Sequence, residues 1–190
     1  MHLVLASASP RRRELLTQAG FDFEVLPAHI PEDLLPNEDP ITYVLRLART
    51  KAETVFARLS QESSAPLCVL GADTTVTIGG EILGKPADAE DAARMLRMLS
   101  GRTHRVITGV ALVTGQGTEV AAETTSVRFL ALSEEEIATY IATGEPMDKA
   151  GGYGIQGYAA RWIPGIEGDY FNVVGLPLAR VSTMLQARRA

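Results

Sequence analysis

Apolar positions recur along this chain with two periods, runs and alternations that suit strands and three- and four-residue spacings that suit helices. Leu3-Val4-Leu5 is a short apolar run and predicts a buried strand. Ser9 then suits a helix N-cap and Pro10 the first helical position, with Leu15, Leu16 and Ala19 facing the core and Gly20 closing the helix. Residues 21–26 alternate apolar and acidic, which predicts a half-buried strand. The loop at 27–40 holds four prolines and the acids Glu32, Asp33, Glu38 and Asp39. The clearest helix follows from Asp39-Pro40, placing Ile41, Val44, Leu45, Ala48, Ala52, Val55, Phe56 and Leu59 on one face. Arg46, Arg49 and Lys51 lie off that face, so periodicity alone makes Lys51 a solvated lysine.

Residues 60–66 read as a polar connection. A buried strand over 66–76 is expected to end at Gly71-Ala72-Asp73-Thr74-Thr75, followed by a hairpin around Gly79-Gly80. Asp88 caps a helix to Leu99 with Ala92, Met95, Leu96 and Leu99 inward. Two strands, 105–114 and 118–130, turn at Gly115-Gln116-Gly117. Ser133-x-x-Glu136 has the form of a capping box and opens a helix that ends at Gly144. Residues 158–174 read as further strand and turn, with Trp162 a packing residue. Pro177 starts a last helix to about Arg188.

The length of 190 residues suits one large domain or two closely packed lobes. A net charge of −5 argues against a nucleic-acid-binding stripe, though a local basic pocket is compatible with it. Cys68, the single cysteine, lies in the apolar run Leu67-Cys68-Val69-Leu70 and reads as a buried thiol. With no internal disulfide, no signal peptide and no apolar run of membrane-spanning length, the expectation is a cytoplasmic protein without membrane or nucleic-acid partners.

Four places carry candidate chemistry. In residues 3–16 a strand leads through Ser7 and Ser9 into a helix whose first turn holds Arg11, Arg12 and Arg13. Positive charge is unfavourable at that end of a helix dipole, and a docked anion relieves it, so the turn reads as a phosphate cradle. Asp73 follows a hydrophobic strand and a glycine, a placement suited to a metal ligand or general base, or else to an Asx turn or a cap. Lys85 in Gly84-Lys85-Pro86 suits a point-charge phosphate contact. Residues 144–157 hold five glycines with Asp148, Lys149 and Gln156, and read as a linker or as backbone approaching a ligand. Gln156 offers an amide donor and acceptor for a base edge. His104 reads as a structural hydrogen-bonder, since no second histidine is spaced to join it on a metal.

Taken together, LASASPRRRELL (5–16), RLARTKA (46–52), GADTTV (71–76), GKP (84–86), LSGRTHRVITGV (99–110), GEPMDKAGGYGIQG (144–157) and NVVGLPL (172–178) resemble the Maf nucleotide pyrophosphatases, in family order and over nearly the whole chain. The resemblance implies an elongated α/β fold, a mixed twisted sheet flanked by helices, with two lobes around a central cleft in one Maf-like domain related to inosine triphosphatases. It implies hydrolysis of a nucleoside triphosphate to the monophosphate and pyrophosphate with a divalent cation, Mg²⁺ or Mn²⁺. On that pattern Asp73 is the proton acceptor or a metal carboxylate, and Ser7, Ser9, Arg11, Arg12, Lys51 and Lys85 hold the triphosphate. Glu32 aligns with a metal-binding carboxylate, although Pro31 stands where the family usually has a further acid. Arg11, Thr74 and Gln156 match the dTTP/UTP subgroup at positions that touch the base; the 7-methyl-GTP subgroup tends to carry tryptophan, glutamine and glutamate there. A homodimer is the family's suggestion.

The residues suit that chemistry in their own right. Cleaving a phosphoanhydride needs cations along the phosphates, a metal and a carboxylate to deprotonate or orient water. Arg11/Arg12, Lys51, Lys85 and Lys149 supply cations; Glu32, Asp73 and Asp148 supply acids. A nucleotide-binding regulator of septum formation without turnover, and a purine triphosphate scavenger of the inosine type, are the competing readings.

Overall fold

The structure, a computed structural model, describes residues 2–62 and 65–188. Among these, seven strands form one mixed sheet flanked by helices, an α/β fold. The chain runs β1 (His2–Leu5), α1 (Pro10–Gln18), β2 (Glu24–Val25), α2 (Pro40–Glu62), β3 (Leu67–Ile78) and β4 (Glu81–Leu83). It continues through α3 (Ala89–Leu99), β5 (Thr103–Thr114), β6 (Gly117–Arg128) and α4 (Glu134–Ala142). Three 3-10 turns, β7 (Gly165–Glu167), α5 (Tyr170–Val174) and α6 (Leu178–Ala187) complete it. The strand order is β2-β1-β3-β5-β6-β7, with β4 paired to β3. β1 runs parallel to both β2 and β3, whereas β3–β4 and β6–β7 are antiparallel.

The chain divides into two compact units. The first comprises Met1–Asp73, Thr108–Glu123 and Gly175–Ala190. Its core joins Val4 and Ala6, Val69, Ala111 and Val113 to Ala48, Ala52 and Val55 of α2. Here α2 packs backbone against backbone: a Cβ on Gly71 would lie 2.1 Å from Ala48 O, and one on Gly109 would lie 2.5 Å from Val44 O. Only glycine fits at either point. That contact corrects the expectation that Gly71 marks the end of a strand. β3 runs straight through the GADTTV motif, and Gly71 permits the close approach of α2 within the strand.

The second unit comprises Thr74–Ile107 and Thr124–Val174. Its core gathers Val76, Leu83, Met95, Leu96, Leu99, Phe129, Ile137, Tyr140 and Trp162. The β3–β4 hairpin turns at Gly79 and Gly80, both with positive φ. Asp88 caps α3 through Asp91 N–H, and the Ser133–Glu136 capping box is reciprocal.

Several element expectations need correction. Residues 21–26 shrink to the two-residue β2. Ala19 and Ile41 are exposed, and α2 buries Leu47 and Lys51 beyond the stripe read from spacing. α2 also continues to Glu62, into the expected connection, whose Ser63 and Ser64 lie outside the described residues. Residues 158–174 hold a 3-10 turn, the short β7 and a short helix.

Candidate active site

The site is built on the first unit, from α1, α2, β3 and the acidic loop. Strand alternation puts Gly71 and Asp73 on one face of β3, the face that α2 covers. Ala48 approaches Gly71, and Lys51, one turn further along α2, reaches Asp73: Nζ donates to Oδ1 at 2.7 Å. Both side chains are buried. The reading of Lys51 as solvated is therefore overturned, because the close seating of α2 on Gly71 draws its stem into the interior. Asp73 is neither an Asx-turn residue nor a cap, since it sits inside a strand. Burial raises its pKa above the usual carboxylate value, opposed chiefly by the positive charges of Lys51 and Arg12.

Glu32 joins the pair from the loop, its Oε1 2.6 Å from Lys51 Nζ. Two carboxylates thus converge on one ammonium. The loop is fixed by α2 on two counts. Tyr43 Oη donates to Glu32 O at 2.9 Å, and Arg46 Nη2 donates to Asp33 O at 3.0 Å. Arg46 also grips Glu38 with a two-point fork, Nε to Oε1 at 2.6 Å and Nη2 to Oε2 at 2.7 Å. Burial pushes the Tyr43 phenol up to about 12, so it stays a donor at neutral pH. Tyr43 carries no signal in the sequence, and Glu38 and Arg46 none beyond their places in the acidic loop and off the apolar face of α2, because the spacing of the loop does not announce which acid meets which helix residue.

The basic turn differs from a simple cradle. Ser9 caps α1, accepting from Arg12 N–H, and Ser7 Oγ accepts from Ser9 N–H at 3.2 Å. Arg12 is buried, and its guanidinium donates to Gly175 O at 2.8 Å, to Ala72 O at 2.9 Å and to Ser7 Oγ at 3.1 Å. Through these bonds Arg12 ties α1 to the residue before Asp73. Arg11 is half-buried and Arg13 exposed.

Thr74, Lys85 and Gln156 belong to the second unit. Thr74 follows Asp73 in β3, and Lys85 and Gln156 are exposed. Gly84 O accepts from Gly151 N–H at 3.0 Å, joining the GKP turn to the glycine segment. That segment is not a linker. Gly151 and Gly152 are buried, and a Cβ on Gly151 would lie 2.8 Å from Val76. Lys149 Nζ donates to Asp148 Oδ1 and Glu145 O, so its charge is spent within the loop. His104 is the buried hydrogen-bonder expected, with Nε2 2.7 Å from Tyr153 Oη. Cys68 is buried, which pushes its thiol up to about 11.

No cluster of three or more metal-ligating side chains occurs among the described residues. The pair Glu32 and Asp73 nevertheless fits Mg²⁺ or Mn²⁺, hard cations held through one or two carboxylates with the remaining positions filled by phosphate oxygens and water.

Over residues 2–188 the chain matches the profile described as "Maf-like protein". This chain belongs to the Maf family. A "dTTP/UTP pyrophosphatase" of Koribacter versatilis (strain Ellin345) is 57% identical over 186 residues, 98% of this chain and 94% of that protein. Proteins of the same description from Symbiobacterium thermophilum and Hahella chejuensis are 54% and 51% identical, over 96% and 97% of this Maf-family chain and 92% and 90% of theirs. Among solved structures, a nucleoside-triphosphatase / dITP/XTP pyrophosphatase of Mycobacterium abscessus superposes with a TM-score of 0.44 at 15% identity, covering 98% of this chain and 97% of that one.

Proposed function

We propose that this chain is a nucleoside triphosphate pyrophosphatase that hydrolyses dTTP and UTP to the monophosphate and pyrophosphate. The observation that carries the reading is the convergence of Asp73 and Glu32 on Lys51, beside a hydroxyl turn fixed by Arg12. Names of relatives more than 50% identical over nearly the whole chain support the substrate class.

In the reaction, a water oxygen bonds to the α-phosphorus and the bond to the α–β bridging oxygen breaks, releasing pyrophosphate. Asp73 takes the proton from that water; burial raises its pKa, which makes it a stronger base than an ordinary aspartate, and the Lys51 charge opposes that rise. Glu32 and Asp73 would hold the divalent cation, which when bound neutralises charge developing on the phosphate oxygens. Ser7, Ser9, Arg11 and Arg12 hold the phosphates with hydroxyls and guanidinium groups, Arg12 also keeping Ser7 in place, and Lys51 binds the same anion. Lys85, Thr74 and Gln156 enter on their motif positions: Lys85 as a phosphate contact, Thr74 and Gln156 as base contacts. The buried free thiol of Cys68 and the absence, among the described residues, of a helix long and apolar enough to cross a membrane support a cytoplasmic placement.

A panel of nucleoside triphosphates assayed for pyrophosphate release, with Mg²⁺ or Mn²⁺ and with EDTA, tests the reading. Turnover of dTTP and UTP that EDTA abolishes is expected. Asp73→Asn is expected to lower kcat by about 10²–10⁴-fold with the fold intact. Nucleotide binding without release would turn the reading into a non-catalytic regulator, and a purine preference would turn it into a scavenger.

A further inference from the structure

In the second unit one carboxylate fastens both ends of the turn that carries Gln156. Glu145 lies just beyond α4. Its Oε1 accepts from Tyr140 Oη at 3.0 Å, and its Oε2 accepts from Tyr158 N–H at 3.1 Å. Tyr140 Oη in turn accepts from Gly154 N–H at 3.2 Å. Gly157 N–H donates to Gly154 O at 3.1 Å, which closes a four-residue turn with Gln156 exposed upon it. There is no slack between the turn and its support. A Cβ on Gly157 would lie 2.0 Å from Glu145 Oε1, and one on Gly154 would lie 2.7 Å from Lys149 Cε.

The support itself is rigid. Tyr140 is fully buried and stacks on Tyr158, their centroids 5.6 Å apart at 18°. Both rings meet the edge or face of Trp162, which Glu136 of the α4 capping box anchors through Nε1 at 3.1 Å. Lys149 Nζ donates to Glu145 O at 2.7 Å, fixing the main chain from which the carboxylate projects. Burial raises the Tyr140 phenol above its ordinary value, so it remains protonated and donates to Glu145 throughout the neutral range.

We infer that Glu145, acting with Tyr140, is a positioning residue for base selection: it presents the Gln156 amide to the nucleobase. A uracil or thymine edge offers a carbonyl acceptor beside an N–H donor, and reading both with one amide demands an orientation held within about 10–20°. The two backbone N–H groups that Glu145 and Tyr140 hold flank Gln156 on either side, at Gly154 and Tyr158. Glu145 itself touches neither substrate nor reacting atoms. The inference rests on the proposed role of Gln156 and adds the residues that aim it.

The test compares kcat/KM for UTP with that for GTP in the full chain and in Q156A, E145A, E145Q and Y140F, each checked by circular dichroism and thermal melting. Q156A is expected to lower the UTP-over-GTP preference. E145A is expected to lower it by roughly tenfold, through KM for UTP, with GTP turnover changed less than about threefold. E145Q, which keeps one acceptor oxygen, should recover part of the preference. Adding E145A to Q156A should lower it no further, because the two act as a unit. Y140F keeps the buried ring and removes only the hydroxyl, so it carries the test if E145A does not fold, and it should move the preference in the same direction. Equal losses on both nucleotides, or an unchanged preference in folded E145A or Y140F, would overturn the inference while Q156A still upholds the base-reading role. An unchanged preference in Q156A would overturn both.

Discussion

Lys51 and Asp73 form a buried ion pair, Nζ to Oδ1 at 2.7 Å, in which the lysine is the largest influence opposing the desolvation of the carboxylate. Asp73 works ionised, so activity falls as pH drops through its pKa. Lys51→Met removes the opposing charge, Asp73 then holds its proton to higher pH, and the acid limb of the kcat/KM profile moves upward. At neutral pH the loss should be on the order of 10–100-fold, the scale of one charge-assisted hydrogen bond of ~1.5–3 kcal/mol. An acid limb that stays in place in the variant would separate Lys51 from the ionisation of Asp73.

Arg46 governs where Glu32 stands, through Glu38 and Asp33 O. Arg46→Ala should release the acidic loop and raise the Mg²⁺ concentration for half-maximal activity by about 5- to 30-fold, equivalent to ~1–2 kcal/mol. Arg46→Lys should recover little, because an ammonium cannot reproduce the two-point fork. Magnesium titrations of the three proteins decide it, and identical curves would show that the fork is dispensable for Glu32.

Gly71 sets the seat of α2. Gly71→Ala puts a Cβ 2.1 Å from Ala48 O, a backbone atom that moves only with its helix. The expected cost is about 1–3 kcal/mol or more, together with reduced turnover as Lys51 is carried away from Asp73. Denaturant unfolding and kcat measured on the same sample test the coupling. A variant with unchanged stability would contradict the close seating.

His104 makes the second unit acid-sensitive. Burial lowers its pKa to about 4, against about 6.5 in the unfolded chain. The unfolded state therefore binds the proton first, and stability is lost as pH falls from 6.5 toward 4, by up to about 3 kcal/mol, and no further below that from this group. His104→Gln keeps a hydrogen-bonding side chain beside Tyr153 and cannot ionise. The stability advantage of wild type over the variant should shrink across that window in thermal melts; parallel curves would refute the assignment.

The helices were the most legible part of the chain, because Ser9, Asp88 and Ser133 are caps that announce themselves locally. Fold and family could be read from motif order. The extent of β3 could not, since a glycine that admits a neighbouring helix looks in sequence like one that ends a strand. Lys51 was misplaced for a related reason: its burial follows from how closely α2 lies on Gly71, a distance that periodicity does not encode. The buried bonds of Arg12 were not legible because their acceptors, Gly175 O and Ala72 O, are main-chain atoms far along the chain. Tyr43 and Glu38 matter only through a loop conformation.

Asp73 sits seven residues into a strand whose neighbour β1 pairs with it from Leu67 to Leu70. Side chains alternate along a strand, so deleting one residue between Leu70 and Asp73 would turn the carboxylate to the opposite face, away from Lys51. A change of chain length in this stretch would break the Lys51–Asp73 pair, while the turn after Thr114 lies where an insertion leaves the ladder intact. An unbroken spacing from Leu67 to Asp73 is thus what keeps the carboxylate facing Lys51, whatever the lengths of the turns around it.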